Sequence, residues 1–235
     1  MNVHFGGPVD LDRTLTPDPK ADMDWISATL AAVKDGGSGC LRLHRPSPTA
    51  AFSRIDSLHA GYDAAAKAVR RHGFSPVLRP AGGRLAIYDS GALVIDLVAP
   101  HDRQKADPMT RFALFCDALK AALSDLGFPA EIGELPHEYC PGKYSLHVGG
   151  RKVVGVAQRM TRAGYHLGAI VVVGPATAAR AAMSEAYPAL GLMLDPNTVG
   201  SLAELRPETR HDDVERKVLE RLGVLVELRS GYPAA

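Results

Sequence analysis

Residues 143–173 read KYSLHVGGRKVVGVAQRMTRAGYHLGAIVVV, three apolar-rich runs separated by two glycine-containing turns. Runs of this kind, rich in β-branched residues and joined by short glycine turns, are typical of antiparallel strands. The pattern predicts a three-stranded meander with strands at 143–148, 151–160 and 165–173. Since no GxGxxG motif is present, a parallel dinucleotide-binding core is not expected.

Amphipathic helices are predicted on both sides of this meander, at 22–35, 57–72, 108–126, 176–186, 198–205 and 211–222. Between them, residues 84–88 and 92–98 flank a DSG turn and predict a β-hairpin. Helices that alternate with antiparallel strands indicate an α+β fold with a mixed, mainly antiparallel sheet flanked by helices. The 235 residues fit a single domain spanning 1–235.

Charge and composition exclude several classes of function. The 27 Lys and Arg residues balance 26 Asp and Glu residues, so neither nucleic acid nor a membrane surface is an expected partner. The first residues, MNVHFGGPVDLDR, contain no apolar core, and we therefore expect no signal peptide and a cytoplasmic protein. Three scattered cysteines, Cys40, Cys116 and Cys140, predict neither a disulfide framework nor a metal site.

Two segments carry residues suited to binding a ligand, including a carboxylate or phosphate group. In RPAGG (79–83), the backbone N–H groups of Gly82 and Gly83 can approach a ligand closely, and Arg79 can hold a negative charge. In strand 151–160, strict alternation places Lys152 and Gln158 on one face and leaves Gly155 as a gap on the other. A plain Gly-Gly turn and an edge strand with polar ends are the alternative interpretations.

A third segment, YCPG (139–142), predicts a cysteine in a loop. Cys140 precedes Pro141-Gly142 and is more accessible there than in a helix, and His137 or Lys152 can lower the pKa of its thiol. A thiolate of this kind is a nucleophile. The alternative is a small structural side chain, the interpretation that we give Cys116 in its apolar helix stripe.

These segments together resemble the lipoate–protein ligase A and octanoyltransferase superfamily, whose catalytic domain is related to that of the biotin ligases. The resemblance rests on RPAGGRLAIYDSGALVIDLV (79–98) and YCPGKYSLHVGGRKVVGVAQRM (139–160), in the family's order and spacing. It is greatest to the branch that transfers octanoyl or lipoyl groups between carrier-protein lysines. The resemblance implies a biotin/lipoate ligase-like fold, similar to that of class II aminoacyl-tRNA synthetases.

The resemblance also implies the roles of particular residues. Cys140 would carry the acyl group, Lys152 would donate to the acyl oxygen, and lipoyl-domain or glycine cleavage H-type proteins would be the carriers. We assign acyl-substrate binding to six further residues: Arg79, Gly82, Gly83, Gly155, Gln158 and His166. Ser145, Met160 and Tyr88 depart from the family pattern, in which aspartate, arginine and histidine are common.

Two alternatives remain open from the sequence. An ATP-dependent lipoate–protein ligase would use ATP and Mg²⁺, whereas transfer requires no cofactor. A non-catalytic acyl-binding protein would keep the fold and not require Cys140.

One geometric condition applies to transfer. A turn at Gly149-Gly150 places Lys152 opposite His147, so a straight strand would separate it from Cys140 by about 23 Å. Transfer therefore requires the 131–140 loop to fold back over the sheet.

Overall fold

The computed structural model describes residues 5, 8–16, 18–33, 38–101 and 107–229. Its strands are β1 Pro8–Asp12, β2 Gly39–His44, β3 Thr49–Phe52, β4 Ser75–Leu78, β5 Ala86–Tyr88, β6 Ala92–Pro100, β7 Glu131–Ile132, β8 Leu146–Val148, β9 Arg151–Met160, β10 Gly164–Val172 and β11 Glu227–Arg229. The helices are α1 Pro19–Ala32, α2 Arg54–Ser57, α3 Tyr62–Arg71, α4 Pro108–Asp125, α5 Thr177–Ala189, α6 Leu202–Leu205 and α7 His211–Leu222.

The large sheet has eight strands in the order β11-β1-β2-β6-β10-β9-β8-β7. The pairs from β2 to β7 are antiparallel, whereas β1 pairs in parallel with both β2 and β11. One face packs on α4 and α7, and apolar side chains from β2, β6 and β10 fill that core. The predicted α+β fold with a mixed, mainly antiparallel sheet is confirmed.

The predicted meander is confirmed as β8-β9-β10. Gly149 and Gly150 form its first turn with φ of 56° and 75°, a left-handed backbone that glycine adopts without strain. His147 pairs with Lys152, as that turn requires. The first strand is shorter than predicted because the chain still turns at Ser145, whose N–H donates to the Gly142 carbonyl at 2.9 Å.

The predicted hairpin of 84–88 with 92–98 is wrong. β5 pairs instead with β3 in a separate three-stranded sheet, β4-β3-β5, and β6 enters the large sheet. The DSG turn itself forms, and the Ala92 N–H donates to the Asp89 carbonyl at 2.8 Å. A local turn signal does not specify which sheet each flanking strand joins, because that depends on distant strand partners.

The small sheet packs with α3 and α5 in a second core, beside the face of the large sheet opposite α4 and α7. Residues 57–72 do not form one continuous helix, since turns at 58–61 separate α2 from α3. No helix within the described ranges is both long and apolar enough to pass through a bilayer.

Candidate active site

A cleft that opens to solvent lies between the two sheets. Its walls come from α1, from the segment after β4, from the Cys140 loop and from the strands β2, β3, β5, β6, β9 and β10. Apolar side chains make up much of the lining: Met23, Ile26, Ala51, Ala81, Ala86, Val94 and Ile170. Such a cleft has the shape and polarity to bury an alkyl chain.

Cys140 lies in this cleft, with its backbone held in place on both sides. Its N–H donates to the Tyr187 hydroxyl at 2.7 Å, and that hydroxyl donates to the Leu85 carbonyl at 2.7 Å. Its own carbonyl accepts from Lys152 Nζ at 2.9 Å. With φ at 42°, Cys140 adopts a left-handed backbone that is strained for a residue with a side chain.

Hydrogen bonds and charge favour the Cys140 thiolate. Arg79 Nη2 and the Arg84 N–H both donate to Sγ at 3.3 Å. Burial alone raises the pKa of the Cys140 thiol, but the positive charges of Arg79 and Lys152 and these hydrogen bonds outweigh burial and lower it below the usual range. Burial raises the pKa of Cys40 and Cys116 to about 12. Cys140 is therefore distinguished from the other two thiols by the positive charges beside it.

Lys152 holds the Cys140 loop against β9. Its ammonium, almost fully buried, donates to the carbonyls of Tyr139 and Cys140 at 2.8 and 2.9 Å and to Glu138 Oε1 at 3.2 Å. The loop thus folds back over the sheet, as transfer chemistry requires. All three ammonium donors are taken in this arrangement. Donation from Lys152 to an acyl oxygen stays a prediction, because its ammonium here donates to the 138–140 segment instead.

Lys152 and Gln158 do not share a face of the sheet, contrary to the alternation predicted. The register between β8 and β9 shifts so that Leu146 pairs with Val154 while His147 pairs with Lys152. This irregularity inserts one residue into β9 and reverses the alternation beyond it. Lys152 therefore lies on the same side as Gly155, whereas Gln158 pairs beside Leu167, whose side chain belongs to the core under α4 and α7.

Most of the other predicted site residues lie together. Arg79, Gly155 and His166 line the cleft with Cys140. A Cβ placed on Gly83 would lie 2.7 Å from Cys140 Sγ, so Gly83 is in contact with the thiol. Gly82 is in a shallow groove outside the cleft instead, and a Cβ placed there would meet nothing within 4 Å. His137 is exposed and is not among the groups that lower the thiol pKa.

Sequence reasoning missed Glu138, a carboxylate at the centre of the Cys140 loop. Glu138 Oε1 accepts from the Gly142 N–H at 3.1 Å, from Ser145 Oγ at 2.6 Å and from Lys152. Ser145 stands where the resemblance expects an aspartate, and Glu138 supplies a carboxylate beside that position. The signal was the acidic residue directly before YCPG. Tyr187, which fixes the Cys140 backbone, is 47 residues away in the sequence and gave no signal.

A second missed feature is a buried group of charged side chains at the β2–β6 side of the cleft. We call it the distal polar cluster; its members are Asp22, Arg42, His44, Asp96 and His166. Arg42 donates to Asp96 Oδ2 through Nη2 at 2.8 Å and to Asp22 Oδ1 through Nη1 at 3.1 Å. His166 Nε2 lies 2.9 Å from Asp96 Oδ1. Only His166 was among the predicted site residues.

The cluster does not have the arrangement of a metal centre. Across the described ranges, no three His, Cys, Asp or Glu side chains are placed to hold a metal ion together.

We expect a Gly83→Ala substitution to slow acyl transfer to Cys140 by about 10- to 100-fold, because it displaces reacting groups. The new methyl would lie 2.5 Å from Arg79 Nη2 and 2.7 Å from Cys140 Sγ, at a φ of 97° that disfavours alanine. The measurement is the rate at which the thiol is acylated or alkylated. Gly82→Ala is the matched control and should have a much smaller effect. Equal losses in the two variants would contradict this account of Gly83.

Comparison with known proteins identifies the family. Residues 21–223 match the model of the lipoyl protein ligase A/B catalytic domain. The chain is 28% identical over 213 residues to octanoyl-[GcvH]:protein N-octanoyltransferase of Geobacillus kaustophilus, with 86% of this chain and 72% of that protein covered. It is 31% identical over 174 residues to the octanoyltransferase of the same name from Exiguobacterium sibiricum, covering 69% of this chain and 59% of that protein.

A solved structure shows the same fold. The bipartite lipoate protein ligase of Thermoplasma acidophilum superimposes with a TM-score of 0.68 at 17% identity, over 96% of this chain and 86% of that one. The residues matched by the family model include the cleft, the Cys140 loop and both sheets' central strands. The resemblance seen in the sequence is thereby confirmed: the chain belongs to the lipoyl protein ligase A/B catalytic domain family.

Proposed function

We propose that this protein is an acyltransferase that moves an octanoyl or lipoyl group from one carrier-protein lysine to another through a thioester on Cys140. The observation that carries the proposal is the Cys140 thiol, held by Arg79 and Arg84 at the cleft and lowered in pKa. Relatives named octanoyl-[GcvH]:protein N-octanoyltransferase and lipoyl-[GcvH]:protein N-lipoyltransferase support the type of acyl group and carrier.

The reaction proceeds in two balanced steps. The Cys140 thiolate attacks the acyl carbonyl of the donor, the S–C bond forms, and the bond to the donor lysine nitrogen breaks as that amine takes up a proton. The acceptor lysine then attacks the thioester, its amine loses a proton, and the thiolate leaves. Each half-reaction replaces one bond to the acyl carbon with another, so no oxidant, reductant or nucleotide is needed.

The donors around Sγ suit both states of the thiol. Arg79 Nη2 and the Arg84 N–H stabilise the free thiolate at 3.3 Å. After acylation the sulfur carries no charge, and the same two donors are already beside the carbonyl group bonded to it. Donors held in place before charge develops on an oxygen are the main source of stabilisation in acyl transfer.

The cleft accounts for binding of the acyl chain. Six or seven methylene groups buried at about 0.8 kcal/mol each contribute roughly 5 kcal/mol. The apolar side chains that would contact the chain come from α1, β6 and β10. Binding energy from the tail can therefore hold the carbonyl beside Cys140.

The mouth of the cleft gives a route for the acceptor lysine. A shallow groove lies outside it and shares Arg79, Pro80 and Ala81 with the cleft. The other side chains that line the groove include three exposed apolar ones and two arginines: Ile55, Leu58, Leu78, Arg54 and Arg159. A carrier that presents its lysine to Cys140 must lie against this mouth. We propose a lipoyl-domain or glycine cleavage H-type protein as that carrier.

The deciding experiment mixes the protein with an apo lipoyl domain and either an octanoylated H-type carrier or free octanoate as the acyl source, each with and without ATP. We expect the octanoyl group of the acylated carrier to appear on the lipoyl domain equally fast with and without ATP, as measured by intact mass. Acylation that requires ATP and a free acid would show that the protein is a ligase and not a transferase. Binding of octanoate without any transfer under either condition would indicate an acyl-binding protein.

The single domain spanning 1–235 and the cytoplasmic location stay predictions.

A further inference from the structure

The shallow groove beside the cleft mouth is unusually apolar for an exposed surface. Eight large apolar side chains are exposed among the described residues, and three of them, Ile55, Leu58 and Leu78, lie in this groove. Their exposed fractions are 59%, 74% and 53%. Apolar side chains that cluster on a surface, rather than being scattered singly, mark a site where another molecule binds. The groove therefore has the apolar centre of an interface.

The charge that borders this apolar centre has one sign. Arg54, Arg79 and Arg159 line the groove, and none of the described residues that line it is acidic. The whole chain carries 27 basic and 26 acidic residues, so the excess of positive charge is local. Arg159 Nη1 donates to the Pro80 carbonyl at 2.7 Å, a neutral acceptor that leaves the charge of the guanidinium in place. A cationic surface of this kind favours a partner that presents carboxylates.

The groove is held in shape by its own hydrogen bonds. At the start of α2, the Ser53 N–H donates to the Asp56 carboxylate at 3.0 Å, and the Asp56 N–H donates to Ser53 Oγ at 3.2 Å. Asp56 is fully buried and also accepts from Arg84 Nη1 at 3.4 Å, so its negative charge is not presented to the groove. A surface that is already formed loses little conformational entropy when it binds a partner.

The groove is continuous with the cleft that holds the thiol. Arg79, Pro80 and Ala81 line both of them. Arg79 Nη2 donates to Cys140 Sγ at 3.3 Å, so one side chain borders the groove and contacts the nucleophile. A folded domain seated in the groove can therefore extend a lysine side chain through the mouth to Cys140.

The chemistry of transfer requires both carriers to use this opening. The acyl-lysine of the donor and the free lysine of the acceptor must each reach the same atom, Cys140 Sγ. Because the acyl chain occupies the apolar interior of the cleft, each lysine must approach from the mouth. Donor and acceptor therefore bind one after the other rather than together.

We propose that the shallow groove is the docking surface for the carrier proteins, and that donor and acceptor occupy it in turn. Each carrier places an apolar side chain against Leu58 and carboxylates against Arg54 and Arg159. The proposal rests on the proposed acyl transfer and specifies the partner as a domain with an acidic surface around its lysine. An apolar centre with charged groups at its edge is the usual arrangement of a protein interface.

Two single variants test the surface in both half-reactions. Arg54→Glu reverses a charge, and Leu58→Ser removes an exposed apolar side chain. We expect each to lower the second-order rate constant for acylation of Cys140 by an octanoylated H-type carrier about tenfold. The rate constant for transfer from the acylated protein to an apo lipoyl domain should fall by a similar factor. Unchanged rate constants in both half-reactions overturn the docking surface, and a loss in only one overturns its shared use.

Arg70→Glu and Val224→Ser are the matched controls, since both residues are exposed and lie outside the groove. Each should keep both rate constants within about twofold of the wild type. Equal losses in Arg70→Glu and Arg54→Glu would assign the effect to total charge and overturn the docking role. Iodoacetamide alkylation of Cys140 is measured alongside. A fall in alkylation equal to the fall in transfer also overturns the docking role, because the thiol itself would then be affected.

The salt dependence of the wild type gives a test that needs no variant. We expect the rate constant with the octanoylated H-type carrier to fall about tenfold between about 20 and about 500 mM NaCl, because salt screens exposed charges. A rate constant that does not change with salt overturns the assignment of an acidic partner.

Binding is scored separately from transfer. Calorimetry of Cys140→Ala with the apo lipoyl domain measures docking in the absence of chemistry. Binding that the additional change Arg54→Glu weakens about tenfold supports the docking surface. If the wild type then transfers no acyl group, the docking surface stands and the transferase is contradicted. Rapid transfer that neither Arg54→Glu nor Leu58→Ser slows supports the transferase and overturns the docking surface.

Discussion

Cys140→Ser and Cys140→Ala should each reduce acyl transfer by at least about 10³-fold, and neither variant should form the acyl adduct seen in the wild type. An unactivated serine hydroxyl at this position has a far higher pKa than a thiol and remains protonated. The measurement is intact mass after mixing with an octanoylated carrier in the absence of ATP, followed by peptide mapping and hydroxylamine treatment to show a thioester.

Cys40→Ser is the matched control for this experiment. Cys40 is a half-buried thiol whose pKa is raised to about 12 by burial. We expect that variant to be acylated and to turn over as the wild type does. Full activity in Cys140→Ala would exclude a thioester on this residue.

The alkylation rate of Cys140 should rise at a lower pH than that of an ordinary cysteine. Because Arg79 and Lys152 lower the pKa of Cys140 in the folded protein, the rate of iodoacetamide alkylation should rise with pH and reach its midpoint below that of an ordinary cysteine. The Cys40 and Cys116 thiols, whose pKa values burial raises to about 12, should react only at much higher pH. A Cys140 midpoint at or above the ordinary value would contradict the role of the two cations.

Lys152→Met should lower the rate of Cys140 acylation by about 10²-fold, because the loop that positions the thiol loses its anchor and a small displacement of a reacting group can cost that much. The substitution keeps an apolar stem of similar length but removes three hydrogen bonds to the 138–140 segment. It also removes a positive charge that favours the thiolate, so the alkylation midpoint of Cys140 should move to higher pH. Arg151→Met, at the exposed neighbouring position, is the matched control.

A second variant separates function from folding at this position. Loss of Lys152 leaves the buried carboxylate of Glu138 without its cation, which costs about 3–5 kcal/mol in comparable buried pairs. Lys152→Met combined with Glu138→Gln should recover the melting temperature but not the acylation rate. Recovery of both would show that Lys152 serves only to neutralise Glu138. A loss of tenfold or less in the single variant would assign Lys152 a purely structural role.

Local sequence patterns were sufficient to predict much of the fold. The meander could be predicted from residues 143–173 because glycine turns and β-branched runs act over a few residues. The long helix α4 could be placed within one residue, since its apolar stripe, Pro108 and Gly127 are all local signals. The predicted hairpin was wrong because its pairing is not local. β5 pairs with β3, a strand of four residues that showed no recognisable pattern.

The sequence by itself therefore determined the fold class, the family and the loop that contains the thiol, because each depends on residues close together in the chain. Tertiary structure alone decided which groups surround that thiol. Arg79 reaches Cys140 across 61 positions of sequence and Tyr187 across 47. One extra residue in β9 turns Lys152 toward Cys140 and Gln158 away from it, which strict alternation cannot predict. The distal polar cluster likewise forms only where α1, β2, β6 and β10 meet, since long-range packing brings its charges together.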